Sequence, residues 1–157
     1  MTIVAALVTP EGAWMGCDSL SSTDATCSVV STPKMGKFGD KLVGFAGDWE
    51  GVRILDILRR DPTITAEQLL FRTSRFSEDL ALLIVEKGTL YLVQSERVLI
   101  KIKRSKGVAY EAIGSGAPIA LGALHRSHED GADLRASIRA AIDHSPHCGG
   151  PVRVAAA

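Results

Sequence analysis

Two short, uninterrupted apolar runs near the middle of the chain, residues 80–85 and 90–93, limit what it can fold into more than any other stretch. Glu86-Lys87-Gly88 separates them as a turn signal. A strand with one wet face alternates apolar and polar residues, whereas a strand that is apolar throughout must be covered on both faces. A sheet built on these two strands therefore needs partners on both sides. A second sheet and a layer of helices would supply them.

The rest of the chain provides such partners. Residues 2–9 alternate loosely around Ile3, Val4, Leu7 and Val8, and Pro10-Glu11-Gly12 is a turn before a second strand over 13–18. Antiparallel pairing in that hairpin sets the end of the second strand beside the start of the first, so Asp18 is expected next to Thr2. Ser19 to Thr26 is polar and reads as loop. Short strands are expected at about 27–31, 34–38 and 41–46, the last two joined by the hairpin turn Gly39-Asp40. Asp48 is placed to cap a helix running to about Arg60, with Val52, Leu55 and Leu58 on one side. Asp61-Pro62 ends it, and Thr65-Ala66-Glu67-Gln68 is a capping-box pattern for a short helix with Leu69 and Phe76 inward.

Val98, Ile100 and Ile102 alternate with Lys101 and Lys103, as on an edge strand with one wet face. The basic cluster Lys101, Lys103, Arg104 and Lys106 fits solvated edge protection better than a ligand site. Gly114-Ser115-Gly116 turns the chain into a helix carrying Ala117, Ala120, Leu121 and Leu124. Asp133 is placed to cap another, with Leu134, Ile138, Ala141 and Ile142 at helical spacing. Gly149-Gly150-Pro151 leads to a final strand at 152–154. By pattern alone this is a mixed α and β chain with segregated elements.

At 157 residues one domain, residues 1–157, is expected, with no internal repeat and no linker. Formal charge is zero, from 18 basic and 18 acidic residues, so nothing electrostatic argues for nucleic acid or an anionic membrane as partner. No apolar run approaches the roughly 18–20 residues of a membrane span, and the N-terminus lacks the layout of a secretory signal. Cys17, Cys27 and Cys148 are odd in number and show no CxxC spacing, which suits a reduced cytoplasmic protein with buried or incidental thiols.

Chemistry concentrates in the first forty-seven residues. Thr2 stands directly after the initiator methionine, Asp18 follows it by sixteen residues, and Lys34 follows Asp18 by sixteen more. A threonine hydroxyl needs an adjacent base, and a threonine at the chain terminus can use its own α-amine. That amine titrates at roughly 7.7–8.0, and a neighbouring ammonium pushes it lower.

Five segments carry a resemblance to a known family. They are Met1-Thr2-Ile3-Val4, Gly16-Cys17-Asp18-Ser19, Pro33-Lys34-Met35, Gly44-Phe45-Ala46-Gly47 and Ala112-Ile113-Gly114-Ser115-Gly116. In that order and spacing they resemble the proteasome β-subunit type of N-terminal-nucleophile (Ntn) hydrolase, including the bacterial peptidase that works with a heat-shock ATPase. The resemblance implies an α+β fold, a four-layer α-β-β-α sandwich. It implies Thr2 as nucleophile once Met1 is removed, with its freed amine as base. Lys34 would depress that amine's pKa and stabilise the charged intermediate, Asp18 would hold Lys34 by an ion pair, and Gly47 would supply an oxyanion N–H. Ser115 corresponds to the serine that hydrogen-bonds the terminal amine. Also implied are peptide or unfolded-protein substrates, a homo-oligomeric ring, an ATPase partner, cytoplasmic location and no cofactor.

The chain departs from the family in two places. Where the family often has Asp-x-x-Ser-Gly-Gly, this sequence has Ser145-Pro146-His147-Cys148-Gly149-Gly150, leaving Asp143 or Ser145 to replace the aspartate. The chain is also short between residues 60 and 107, where contacts to a neighbouring subunit or ATPase are usually built. Two other readings of the same fold are a catalytically silent scaffold and an amidohydrolase acting on a small amide. A metal site among His125, His128, His144 and His147 is disfavoured for want of carboxylate partners beyond Glu129 and Asp130. No GxSxG elbow supports a serine hydrolase, and Cys17 sits mid-strand without a paired histidine.

Overall fold

The computed structural model describes residues 2–22, 27–94, 98–104 and 106–157. Met1 and residues 23–26 of the expected loop lie outside them. In chain order the elements are β1 (Val4–Thr9), β2 (Gly12–Cys17), β3 (Leu20–Ser22), β4 (Cys27–Val29), β5 (Met35–Phe38), β6 (Lys41–Ala46), α1 (Gly51–Arg60), α2 (Ala66–Arg72), β7 (Ala81–Glu86), β8 (Thr89–Val93), β9 (Ile100–Ile102), β10 (Ala109–Ile113), α3 (Ala117–Arg126), α4 (Gly131–His144) and β11 (Arg153–Ala156). They build a mixed α/β molecule with antiparallel sheets. One sheet has the order β10-β1-β2-β11, another β5-β6-β7-β8-β9, and β3 pairs with β4.

The apolar runs behave as their composition demands. On β7, Leu83 and Val85 join a cluster with Val4, Ala6, Val8 and Met15 of the other sheet, while Leu82 and Ile84 face Ile54, Leu55, Leu58 and Leu69 of α1 and α2. Along β1 and the residue before it the same alternation sends Val4, Ala6 and Val8 one way and Ile3, Ala5 and Leu7 the other, against Leu124, Leu134 and Ile138 of α3 and α4. Each central strand is thus buried on both faces. Truncating one such leucine to alanine costs about 2–5 kcal/mol. The turn between β7 and β8 puts Lys87 and Gly88 at φ 48° and 70°, as a tight two-residue hairpin requires.

Several local expectations shift. Part of the stretch expected as loop, Leu20–Ser22, is strand, because its backbone pairs with Cys27–Val29. Asp48 does not cap α1: its carboxylate accepts the Glu50 N–H at 2.8 Å and closes a turn before the helix, and Glu50 occupies the cap position. Ile54 is buried beside Leu55 and Leu58, and Val52 is only half-buried. The Thr65 capping box is present, with Gln68 N–H donating to Thr65 Oγ1 at 3.2 Å and Thr65 N–H to Gln68 Oε1 at 2.9 Å. Phe76 packs on the core from beyond the end of α2. Asp130, not Asp133, caps α4, accepting from Ala132 and Asp133 N–H at 2.7 and 3.2 Å. The final strand runs slightly later than expected, at Arg153–Ala156.

Candidate active site

Thr2 precedes β1 and Asp18 follows β2 directly, and the register pairs Val4 with Cys17. The ladder continues one step further: Asp18 N–H donates to Ile3 O and Ile3 N–H to Asp18 Oδ1, both at 3.2 Å. Asp18 therefore lies where hairpin pairing requires, and Thr2 Oγ1 donates to its Oδ1 at 2.6 Å. Lys34 comes from the other sheet, just before β5, held where Phe45 N–H donates to Lys34 O at 2.9 Å. Its ammonium crosses to the hairpin, donating to Thr2 Oγ1, to Leu20 O and, at 2.8 Å, to Asp18 Oδ1.

This cluster is nearly dry, Thr2, Asp18 and Lys34 being 5%, 1% and 3% exposed. A buried ion pair is tolerable only when its remaining donors and acceptors are satisfied. Here all three ammonium donors have acceptors. Asp18 Oδ2, on the far side, accepts the Gly149 N–H at 3.1 Å. The threonine oxygen thus sits between a cation that donates to it and a carboxylate that accepts its proton. The ammonium stabilises negative charge developing on that oxygen, whereas the carboxylate opposes it and serves to hold the cation in place.

The turn before α3 wraps the Thr2 carbonyl. Gly114 has φ 97°, and a Cβ there would stand 2.2 Å from Thr2 O, so only glycine fits. Ser115 Oγ and Gly116 N–H both donate to Thr2 O at 3.4 Å. Cys148 Sγ lies 3.9 Å from Ser115 Oγ, and Cys148 N–H donates to Ser145 O at 3.2 Å. The segment that replaces the family's Asp-x-x-Ser-Gly-Gly thus meets the site through Cys148 and Gly149. Asp143 is exposed at the end of α4.

A small cleft with about 30 Å³ of room opens onto Thr2 and Lys34, with Ser21, Phe45, Ala46, Gly47 and Trp49 around it. That is an order of magnitude below the roughly 300–1,000 Å³ of a typical small-molecule pocket and amounts to room for about two waters. Phe45 and Trp49 meet edge to face at 5.9 Å and 70°. Of the residues singled out from sequence, Thr2, Asp18 and Lys34 touch one another, Ser115 touches Thr2, and Gly47 shares the cleft. Sequence reasoning missed Leu20, Ser21 and Trp49 as cleft or site residues. Only the exposed tryptophan beside a glycine-rich strand end offered a signal.

Rival sites are otherwise engaged. Burial pushes the Cys17 thiol up to about 11, which keeps it protonated and a poor nucleophile. Burial also raises the Cys148 thiol. His125 Nδ1 is 3.1 Å from Tyr110 Oη, and His128 Nδ1 is 2.8 Å from Leu124 O while its ring stacks on Tyr110 at 5.3 Å. No group of three or more His, Cys, Asp or Glu side chains is placed to hold a metal ion among the described residues. Lys101, Lys103 and Lys106 are exposed, and Arg104 pairs with Glu111 at 3.4 Å over the Tyr110 ring. Among the described residues, no helix is long and apolar enough to cross a membrane.

No protein-family model and no curated protein sequence matches the chain. Solved structures do. Thiobacillus denitrificans BPH in complex with epoxomicin superposes with TM-score 0.78 at 18% identity, covering 98% of this chain and 97% of that one. A second structure of BPH gives 0.77 at 18% identity over the same shares. Eukaryotic HslV from Trypanosoma brucei gives 0.76 at 16% identity, covering 99% and 98%. BPH is a proteasome-like protein and HslV a proteasome-type peptidase subunit, so the resemblance read from the sequence is matched in fold over nearly the whole chain.

Proposed function

We propose that this chain is a threonine-type peptidase subunit that hydrolyses peptide bonds through Thr2 after removal of Met1. The observation that carries the reading is the buried contact of Thr2 Oγ1 with both Lys34 and Asp18 at the base of an open cleft. A threonine that served only the fold would not need a buried cation brought from the opposite sheet.

The freed α-amine takes the Oγ1 proton as the oxygen attacks the substrate carbonyl carbon. Lys34 stabilises the oxygen as it loses that proton, and the Gly47 N–H stabilises the oxyanion on the substrate. Collapse breaks the C–N bond, the amine proton passes to the leaving nitrogen, and an ester remains on Thr2. Water then attacks the ester by the same steps, with the amine again as base. Asp18 fixes Lys34, while Ser115 and the Gly114 turn fix the Thr2 main chain.

The remaining parts of the reading rest on the same resemblance. The chain is one domain of the four-layer α-β-β-α Ntn type, in keeping with its three apolar clusters. It works in the cytoplasm on peptides or unfolded protein, in a closed ring, with an ATPase as partner. Epoxomicin, the ligand of the Thiobacillus protein, is the probe. Incubation should add the mass of one inhibitor to the peptide that begins at Thr2, and Thr2→Ala should abolish it. A folded, Met1-free chain that takes up no inhibitor and cleaves no peptide would be a silent scaffold; cleavage of small amides alone would make it an amidohydrolase.

A further inference from the structure

Gly47 lines the cleft just beyond the end of β6. Its φ of 90° is open to glycine alone, and a Cβ there would lie 1.9 Å from Asp79 O. Its peptide therefore lies directly against the segment leading into β7, at Asp79 and Leu80. Beyond it, Ala46 pairs with Ala81, so one side of the contact is fixed by the sheet. The approach from the α2 side, residues 73–80, carries no strand pairing.

Thr73, Phe76 and Leu80 pack that approach onto the core, and Glu50 adds a long-range polar tie to it. Its carboxylate Oε2 accepts the Ser77 N–H at 2.8 Å, across twenty-seven residues of sequence. The Ser77 hydroxyl then accepts the Asp79 N–H at 3.2 Å, and Ser77 O accepts the Leu80 N–H at 3.2 Å, closing a compact turn behind Gly47. Glu50 is itself anchored, because its N–H donates to Asp48 Oδ1 at 2.8 Å. It stands at the cap position of α1, yet its side chain makes no capping bond there. A glutamate at a helix start ordinarily gains by facing the helix's own amides. This one gives Oε2 to Ser77 instead, while Oε1 lies 3.9 Å from Arg53 Nη1.

We propose that Glu50 is a positioning residue for Gly47: by holding the Ser77 turn against the Gly47 peptide, it fixes the direction in which that N–H meets the bound carbonyl oxygen. The inference rests on the peptidase reading above and adds a residue that touches neither substrate nor Thr2. Donors aimed at a developing oxyanion act through placement, and a misplacement of about 1 Å can cost about 10²-fold. Substrate binding, by contrast, depends on the cleft walls, which Glu50 does not form.

The test compares Glu50→Ala with Glu50→Gln in the Met1-free protein. Glutamine keeps an acceptor oxygen for the Ser77 N–H. Readouts are kcat and KM on a fluorogenic peptide, affinity for a peptide aldehyde against the matching alcohol, and the Gly47 amide resonance. Glu50→Ala is expected to lower kcat about 10–100-fold with KM within about threefold. It should weaken the aldehyde by the same factor, leave the alcohol unchanged and shift the Gly47 amide. Glu50→Gln should stay within about threefold of wild type throughout. An alanine variant with wild-type turnover, aldehyde affinity and Gly47 resonance overturns the inference. So does one that loses alcohol and aldehyde alike, which would mark a merely structural role. Wild-type protein that binds no aldehyde refutes the peptidase reading instead, and the Gly47 resonance then still decides whether Glu50 sets that peptide.

Discussion

Replacing Lys34 by alanine separates what the buried cation does for the fold from what it does for the nucleophile. The ammonium serves three acceptors, Thr2 Oγ1, Leu20 O and Asp18 Oδ1, and its removal leaves Asp18 buried without its counter-charge. Breaking such a pair from one side costs about 3–5 kcal/mol. Asp18 keeps the Thr2 hydroxyl and the Ile3 and Gly149 N–H groups, so the lower end applies. At about 2–4 °C per kcal/mol for a chain of this size, Tm should fall by about 6–12 °C with the fold retained. Turnover should fall further. An electrostatic group at such a site is worth about 3–4 kcal/mol, or about 10²–10³ in kcat. Differential scanning calorimetry reads the first effect and fluorogenic peptide hydrolysis the second. The double variant Asp18→Asn/Lys34→Met removes both charges and should regain part of the lost Tm but none of the lost turnover. A Lys34→Ala protein within threefold of wild-type kcat would falsify the assignment of this cation to the chemistry.

Two further expectations concern pH and assembly. The Cys17 pKa is raised by burial from 9.0 to about 11, so its contribution to stability is complete below about pH 9 and lost as pH rises through 11. At about 1.36 kcal/mol per unit this is on the order of 2–3 kcal/mol. Urea titrations at pH 8 and 11 should show that extra loss in wild type and not in Cys17→Ala; equal losses would contradict it. Small residues on the outer helices, among them Ala123, Ala136 and Ala140, suit close packing of another subunit, and the ring should be a double one of six or seven chains per ring. Light scattering should then give a mass many times 16.7 kDa, whereas a monomer at micromolar concentration refutes the ring.

What was legible in the sequence was what local periodicity and hairpin geometry determine. The doubly buried strands followed from their lack of polar positions, and the Thr2–Asp18 neighbourhood followed from the turn at Pro10-Glu11-Gly12. Helix starts were less legible, because several carboxylates compete for the same few amides. Asp48 and Asp133 looked like caps, yet Asp48 serves the turn before α1 and Asp133 Oδ2 accepts the Glu129 N–H at 2.7 Å. β3 was missed because a three-residue polar strand has no pattern of its own and exists by pairing with β4. The Lys34 crossing came only from resemblance, since no spacing rule predicts which side chain bridges two sheets. Gly149 and Glu50 act through single long-range hydrogen bonds to Asp18 and Ser77, and such contacts leave no mark in composition or periodicity.

The central claim, that Thr2 acts through its own amine, is tested most directly by weighing the active protein. Purified chain should be separated into Met1-bearing and Met1-free forms, identified by intact mass, and each assayed with the same peptide. The mechanism requires that hydrolysis track the Met1-free form and be absent from a homogeneous Met1-bearing sample, whose Thr2 nitrogen is an amide without basicity. Peptide hydrolysis by that Met1-bearing sample, at a rate comparable to the processed form, would contradict the terminal-amine mechanism outright.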